Sequence, residues 1–141
     1  MFAVVSMALV TFSSCGKYEE GPGISLRSKT ARVSNTWDLD KVAFIGADGS
    51  RMEASITDPE DKQTLEINKD GSWERRDYIG SIDDKGTWKF SSKNEQLDLK
   101  STLYSEVQSN KILRLANNEL WLEYPDPDYP GDKYIFYWKT K

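Results

Sequence analysis

The side chains able to do covalent chemistry are few: the 141-residue chain has no histidine and a single cysteine, Cys15. Without an imidazole there is no His-activated nucleophile and no His-containing metal site. A lone thiol has no partner for an intrachain disulfide, so its use must be chemical rather than structural. The remaining candidates are paired carboxylates, Glu60-Asp61, Asp83-Asp84 and Asp126/Asp128. Each falls where the sequence predicts a turn, and solvated turn acids are the default state of such pairs. Asp126-Pro127-Asp128-Tyr129-Pro130-Gly131-Asp132 offers carboxylates for a hard cation but lacks the spacing of a dedicated calcium loop, and it reads as an acidic loop. No glycine-rich phosphate cradle or dinucleotide fingerprint is present. The expectation is a non-enzyme with no catalytic residues, no metal site and no cofactor.

The surroundings of Cys15 give it a role. Residues 1–14 carry none of the chain's 19 basic and 23 acidic residues. That stretch is shorter than the roughly 20 apolar residues a membrane span needs, so it reads as a processed targeting segment, the end of a longer leader whose basic start lies upstream. Phe12-Ser13-Ser14-Cys15-Gly16 has the small residues of a lipoprotein cleavage site, and a thiolate suits thioether formation with a diacylglycerol. Cys15 is therefore the expected lipidation site, with palmitate-type acyl chains holding the protein to a membrane. Two or more chains anchor stably where one is marginal. Lys17-Tyr18-Glu19-Glu20-Gly21-Pro22-Gly23 follows as a tether. The net charge of −4, with bases and acids interspersed, argues against nucleic acid as a partner.

Beyond residue 34 the hydrophobic pattern has period two, with no convincing helical stripe. Before it, Ser28 caps one short helical turn, packed through Ile24, Leu26 and Val33. The first strand is expected over Thr36–Ile45, with Trp37, Leu39, Ala43 and Ile45 on one face and Lys41 interrupting it. Asp48-Gly49 turns into a strand over Arg51–Thr57, and Asp58-Pro59 ends it because proline lacks a ladder donor. Asp70-Gly71 is the strongest hairpin signal, and it leads into a strand over Ser72–Ile79. Further strands are expected around Trp88 and Phe90, Leu97–Leu103, Val107–Leu115 (with a break at Ser109–Lys111), Leu120–Tyr124 and Tyr134–Trp138. Eight or nine short strands joined by tight turns point to an all-β antiparallel meander barrel, because closure removes the edges such a chain would otherwise have to protect. The organisation is a signal segment at 1–14, a lipidated Cys and tether with a helical turn at 15–34, and a barrel domain at 35–141.

Asn35-Thr36-Trp37, Gly86-Thr87-Trp88-Lys89-Phe90, the turns Asp48-Gly49 and Asp70-Gly71, Asn117-Asn118-Glu119-Leu120 and the segment Gly21–Lys29 together resemble the lipocalin-like lipoproteins of Bacteroidota. The resemblance spans nearly the whole chain. It implies a lipocalin-like barrel on an outer-membrane lipoprotein of the cell envelope, facing the periplasm or the surface, with a hydrophobic or amphipathic ligand as its cargo.

Two readings of the 5 Trp, 7 Tyr and 5 Phe stay open. Inward aromatics either close the core, which so many large residues favour, or line a cavity for one small ligand. For a cavity, the candidate ligand-binding residues are Trp73, Arg75, Arg76, Tyr78, Trp88, Phe136 and Trp138. Strand alternation sends the two arginines to opposite faces, although a solvated rim would accommodate both. The alternative is a filled barrel serving as an accessory subunit of an envelope complex, docking through Tyr104, Trp121, Tyr129 and Tyr137.

Overall fold

The computed structural model describes residues 28–141, and Cys15, the signal segment and the tether lie outside them. Ser28 caps a five-residue helix, α1 (Lys29–Val33), its hydroxyl accepting from the Ala31 N–H at 3.1 Å. Nine strands follow: β1 (Thr36–Ile45), β2 (Arg51–Ser55), β3 (Thr64–Ile67), β4 (Ser72–Arg76), β5 (Ile82–Ser91), β6 (Gln96–Ser101), β7 (Val107–Leu115), β8 (Glu119–Pro125) and β9 (Lys133–Thr140). All neighbouring pairs are antiparallel, and β9 returns to pair with β1, so β1 and β3–β9 close an eight-stranded barrel with β2 as an extra strand. The predicted lipocalin-like meander barrel is the fold observed.

β2 and β3 share one edge of β1 in succession. Lys41–Ile45 pairs with β2 and Thr36–Asp38 with β3. Between them the chain steps out through a 3₁₀ turn at Pro59–Asp61 and returns, with the Ile56 N–H donating to the Asp40 carbonyl and the Leu39 N–H donating to the Gln63 carbonyl. β2 and β3 are thus one barrel strand broken in two. Every residue of β2 is exposed, and its shortness together with Arg51 and Glu53 guards an edge that no other described strand pairs with.

The register of β1 differs from strict alternation. A bulge at Asp40 shifts the pairing with β9 between Leu39 and Lys41, and one extra residue exchanges the two faces beyond it. Trp37 and Leu39 point inward, and Val42 packs against the same core. Ala43 and Ile45, expected on the Trp37 face, instead join Leu113, Ile135, Tyr137 and Trp121 in a second apolar cluster on the outer wall. Trp121 and Tyr137 meet there edge to face at 5.1 Å, and the Lys41 ammonium lies 4.3 Å from the Tyr137 ring centre. A second bulge lets Leu113 reach this outer cluster, because β7 runs unbroken through Ser109–Lys111 and shifts register between Ile112 and Arg114.

The main core is densest beside α1. Val33, Trp37, Ile67, Leu97, Ile112, Leu115 and Leu120 are all essentially inaccessible. The Trp37 indole N–H donates to the Val33 carbonyl at 2.9 Å, and the Arg32 guanidinium donates to the Leu115 carbonyl at 2.8 Å. These two bonds fasten the helix across this end of the barrel as a plug. Gly86 occupies an inward position opposite Trp73, and a side chain there would lie 1.7 Å from the Lys100 carbonyl oxygen. The indole of Trp73 occupies the region instead, donating to the Thr87 carbonyl at 3.0 Å.

Candidate functional site

The two ends of the barrel differ. At the α1 end the turns are Asn68–Gly71, Ser92–Glu95 and Ala116–Asn118. They are polar, and Asp70 closes its hairpin by accepting from the Ser72 hydroxyl and backbone N–H, bonds that hold its carboxyl below the ordinary aspartate range. The opposite end carries Gly46–Ser50, Asp77–Ser81, Thr102–Glu106 and Asp126–Asp132. Every large hydrophobic side chain that stands well exposed among the described residues lies at or beside this end: Met52, Tyr78, Ile79, Ile82, Leu103, Tyr104, Val107 and Tyr129.

Inside this end lies a cavity of about 130 Å³, bounded by Gln63, Leu65, Trp73, Arg75, Leu99, Gln108, Asn110, Leu122, Tyr124, Phe136 and Trp138. Strand period arranges its walls in two layers. One step toward α1 on their respective strands, Leu65, Trp73, Leu99, Leu122 and Trp138 make an apolar floor. Gln63, Arg75, Tyr124 and Phe136, each two residues nearer the mouth, make a ring above it that Gln108 completes from β7, with Asn110 two residues below Gln108 at the level of the floor. Beyond the ring, β1 and β9 continue the wall with Phe44 and Tyr134, next to Tyr124 of β8. Phe44 and Tyr134 touch at 5.4 Å between ring centres.

The polar residues of the cavity are unequally satisfied. Asn110 is buried, donating to the Leu97 carbonyl at 3.1 Å and accepting from the Gln108 amide at 2.9 Å. Arg75 uses its Nε–H on Asp83 at 3.0 Å and makes no other hydrogen bond among the described residues. Among the described residues, the side chain of Gln63, the Tyr124 hydroxyl and the Trp138 indole N–H have no hydrogen-bond partner.

Of the residues singled out from the sequence, Trp73, Arg75, Phe136 and Trp138 come together at this cavity. Arg76 points outward, donating to Glu74 at 2.8 Å and to the Gly80 carbonyl at 3.0 Å. Tyr78 lies past the end of β4, because the Asp77 carboxylate accepts from the Ile79 and Ser81 N–H groups and turns the chain early. It stands 54% exposed beside an outer groove. Trp88 faces the core from β5, edge to face with Phe90 at 5.3 Å, and its indole donates to the Asn68 carbonyl at 2.7 Å toward the plugged end.

The outer groove, about 420 Å³, is larger than the cavity and lies where β1 passes from β3 to β2. Of its walls, Lys139 pairs with Asp40 at 3.0 Å and Thr64 bonds Asp38 at 3.1 Å, and Lys62 and Lys141 also line it. Its lining is mostly charged and polar, without the apolar floor beneath convergent polar groups that marks a ligand site. In the acidic loop, Asp126 accepts from the Asp128 N–H and the Tyr134 hydroxyl, while Asp132 accepts from the Ala47 N–H. These carboxylates serve the loop's own backbone and neighbours. Loss of hydration and the nearby Asp126, Asp132 and Asp128 hold the Tyr134 phenol above its usual range.

No protein-family model matches the chain, and no curated protein matches it.

Proposed function

We propose that this protein is a non-enzymatic, lipocalin-like lipoprotein of the outer membrane, anchored through acylated Cys15, that holds a small hydrophobic or amphipathic ligand in the mouth of its barrel. The observation that carries the ligand reading is the cavity at the unplugged end, with free polar groups set over an apolar floor. Such an arrangement fixes both the position and the orientation of a bound molecule. The anchoring reading rests on the uncharged leader and the chemistry of the single thiol. It fits a chain that enters the barrel through α1 at the plugged end, which leaves the mouth remote from the start of the domain.

The ligand reading is tested by titrating the purified full chain with hexanol, 2-phenylethanol and phenylacetate while following tryptophan fluorescence. Saturable one-site quenching that is lost in Leu99→Phe supports it, and failure of all three probes to bind overturns it. The anchor is tested separately. Cys15→Ser should abolish lipid labelling and membrane retention while leaving the barrel folded, and persistent acylation would contradict the assignment.

One observation favours a second reading, an accessory subunit that docks through the mouth. The ring of exposed apolar side chains from Met52 round to Tyr129 is the kind of surface that protein partners bury. A stoichiometric partner that is retained after mild solubilisation and lost when Ile79, Tyr104 and Tyr129 are all changed to Ser would support docking.

A further inference from the structure

We propose that the ligand of this cavity is a small monocarboxylic acid, held with its carboxylate toward the mouth on Arg75 and its apolar body on the floor beneath. This inference rests on the ligand-binding reading and adds the chemical class and the orientation.

Arg75 projects inward from β4, opposite Asp84 of β5. Its Nε–H is committed to Asp83, whose side chain is 43% exposed, and both terminal amino groups have no acceptor among the described residues. Asp84 is buried, and its Oδ1 accepts both from the Ser101 hydroxyl at 2.6 Å and from the Lys85 N–H at 2.8 Å, which leaves its Oδ2 as an acceptor beside the guanidinium. The other free groups are the Gln63 amide, the Tyr124 hydroxyl, the Trp138 indole N–H and the carbonyl oxygen of the Gln108 side chain. Donors therefore outnumber acceptors, and one of the donors is a cation. The complement of such a ring is an acceptor-rich anion. A guanidinium presents paired N–H groups in a plane, which matches a carboxylate better than any neutral oxygen.

The floor sets the size. Leu65, Leu99 and Leu122 with the Trp73 and Trp138 rings offer no charge and line the inner part of a cavity of about 130 Å³. A dry apolar cavity of about 150 Å³ takes up one benzene-sized molecule, so the body is a single ring or a short branched chain. Larger substituents would leave through the mouth along Phe44 and Tyr134.

The turns round the mouth work against an anion at long range. Asp48, Asp77, Glu106, Asp126, Asp128 and Asp132 lie in them, with no lysine or arginine. Their field decays over about 8 Å at physiological ionic strength, whereas the guanidinium acts in contact. Salt should therefore speed association of an acid ligand rather than slow it.

The test compares phenylacetate with its neutral isostere 2-phenylacetamide, by calorimetry on the purified full chain. The expected result is at least tenfold tighter binding of the acid, an advantage lost in Arg75→Gln and kept in Arg76→Gln, the outward neighbour. Circular dichroism and the thermal midpoint establish that each variant is folded. If Arg75→Gln fails to fold, Arg75→Lys replaces it and should keep the charge preference in reduced form. Equal binding of acid and amide by the unaltered protein overturns this inference while leaving the ligand reading intact. Binding of neither probe, together with hexanol and 2-phenylethanol, overturns both.

Discussion

The plugged end and the open end of this barrel are made by the same eight strands, yet they have opposite finishes. At the plugged end a five-residue helix lies across the strands, Trp37 and Val33 are fully buried, and the turns are polar. At the open end the inward positions change from Leu and Trp to Gln63, Arg75, Gln108 and Tyr124, and the turn tips carry exposed Tyr, Ile and Leu. A barrel filled for stability alone would be finished alike at both ends. Here packing is concentrated at one end, and the inward polar groups of the other stay accessible over an apolar floor, the arrangement of a ligand site.

That contrast can be broken most forcefully at the plug. Trp37→Ala removes a fully buried ring and its bond to Val33, and should cost about 3–5 kcal/mol in denaturant unfolding. A loss under 1 kcal/mol would mean that α1 does not secure this end. A smaller effect is expected at the helix cap, where Ser28→Ala forfeits the bond to the Ala31 N–H and should cost about 1 kcal/mol. At the open rim, Ile79→Ser should change stability by no more than about 0.5 kcal/mol, because the side chain is 69% exposed. A large loss there would show that the rim is structural and would remove the asymmetry.

The remaining prediction concerns pH. The Tyr134 phenol is held above its ordinary range by loss of hydration and by the acidic loop. A raised pKa in the folded state gives a stability contribution that is complete below the unfolded value and lost as pH rises through the folded one. Alkaline titration followed by ultraviolet absorbance should show one tyrosine ionising later than the rest, and Tyr134→Phe should remove that late step.

Much of this fold was legible in the sequence because its turns carry their own chemistry. Asp70-Gly71 dictates a hairpin through a carboxylate that bonds Ser72 and a glycine at φ 92°, and Pro59 marks the interruption between β2 and β3. The bulge at Asp40 was not legible. Period-two reading assumes one residue per step, and nothing in Leu39-Asp40-Lys41 signals the extra one; pairing with β9 sets it. The site divides in the same way. Trp73, Arg75, Phe136 and Trp138 stand out by residue type, and alternation places them inward. Gln63, Leu99, Gln108, Asn110, Leu122 and Tyr124 are ordinary inward residues of four other stretches of chain, and they become a site only when closure brings β3, β6, β7 and β8 around the same space. Tyr78 resembles its neighbours in sequence, yet it falls outside the site because the Asp77 turn ends β4 two residues before it.

The central claim, that a ligand is held at the open end and nowhere else, can be read from the five tryptophans. Their indole N–H groups report from the plug (Trp37), the core nearer the plug (Trp88), the cavity (Trp73 and Trp138) and the outer wall (Trp121). Titration of the ¹⁵N-labelled protein with phenylacetate should shift the Trp73 and Trp138 indole resonances saturably and leave those of Trp37, Trp88 and Trp121 in place. Saturable shifts confined to Trp121, or no saturable shift in any of the five, would contradict it.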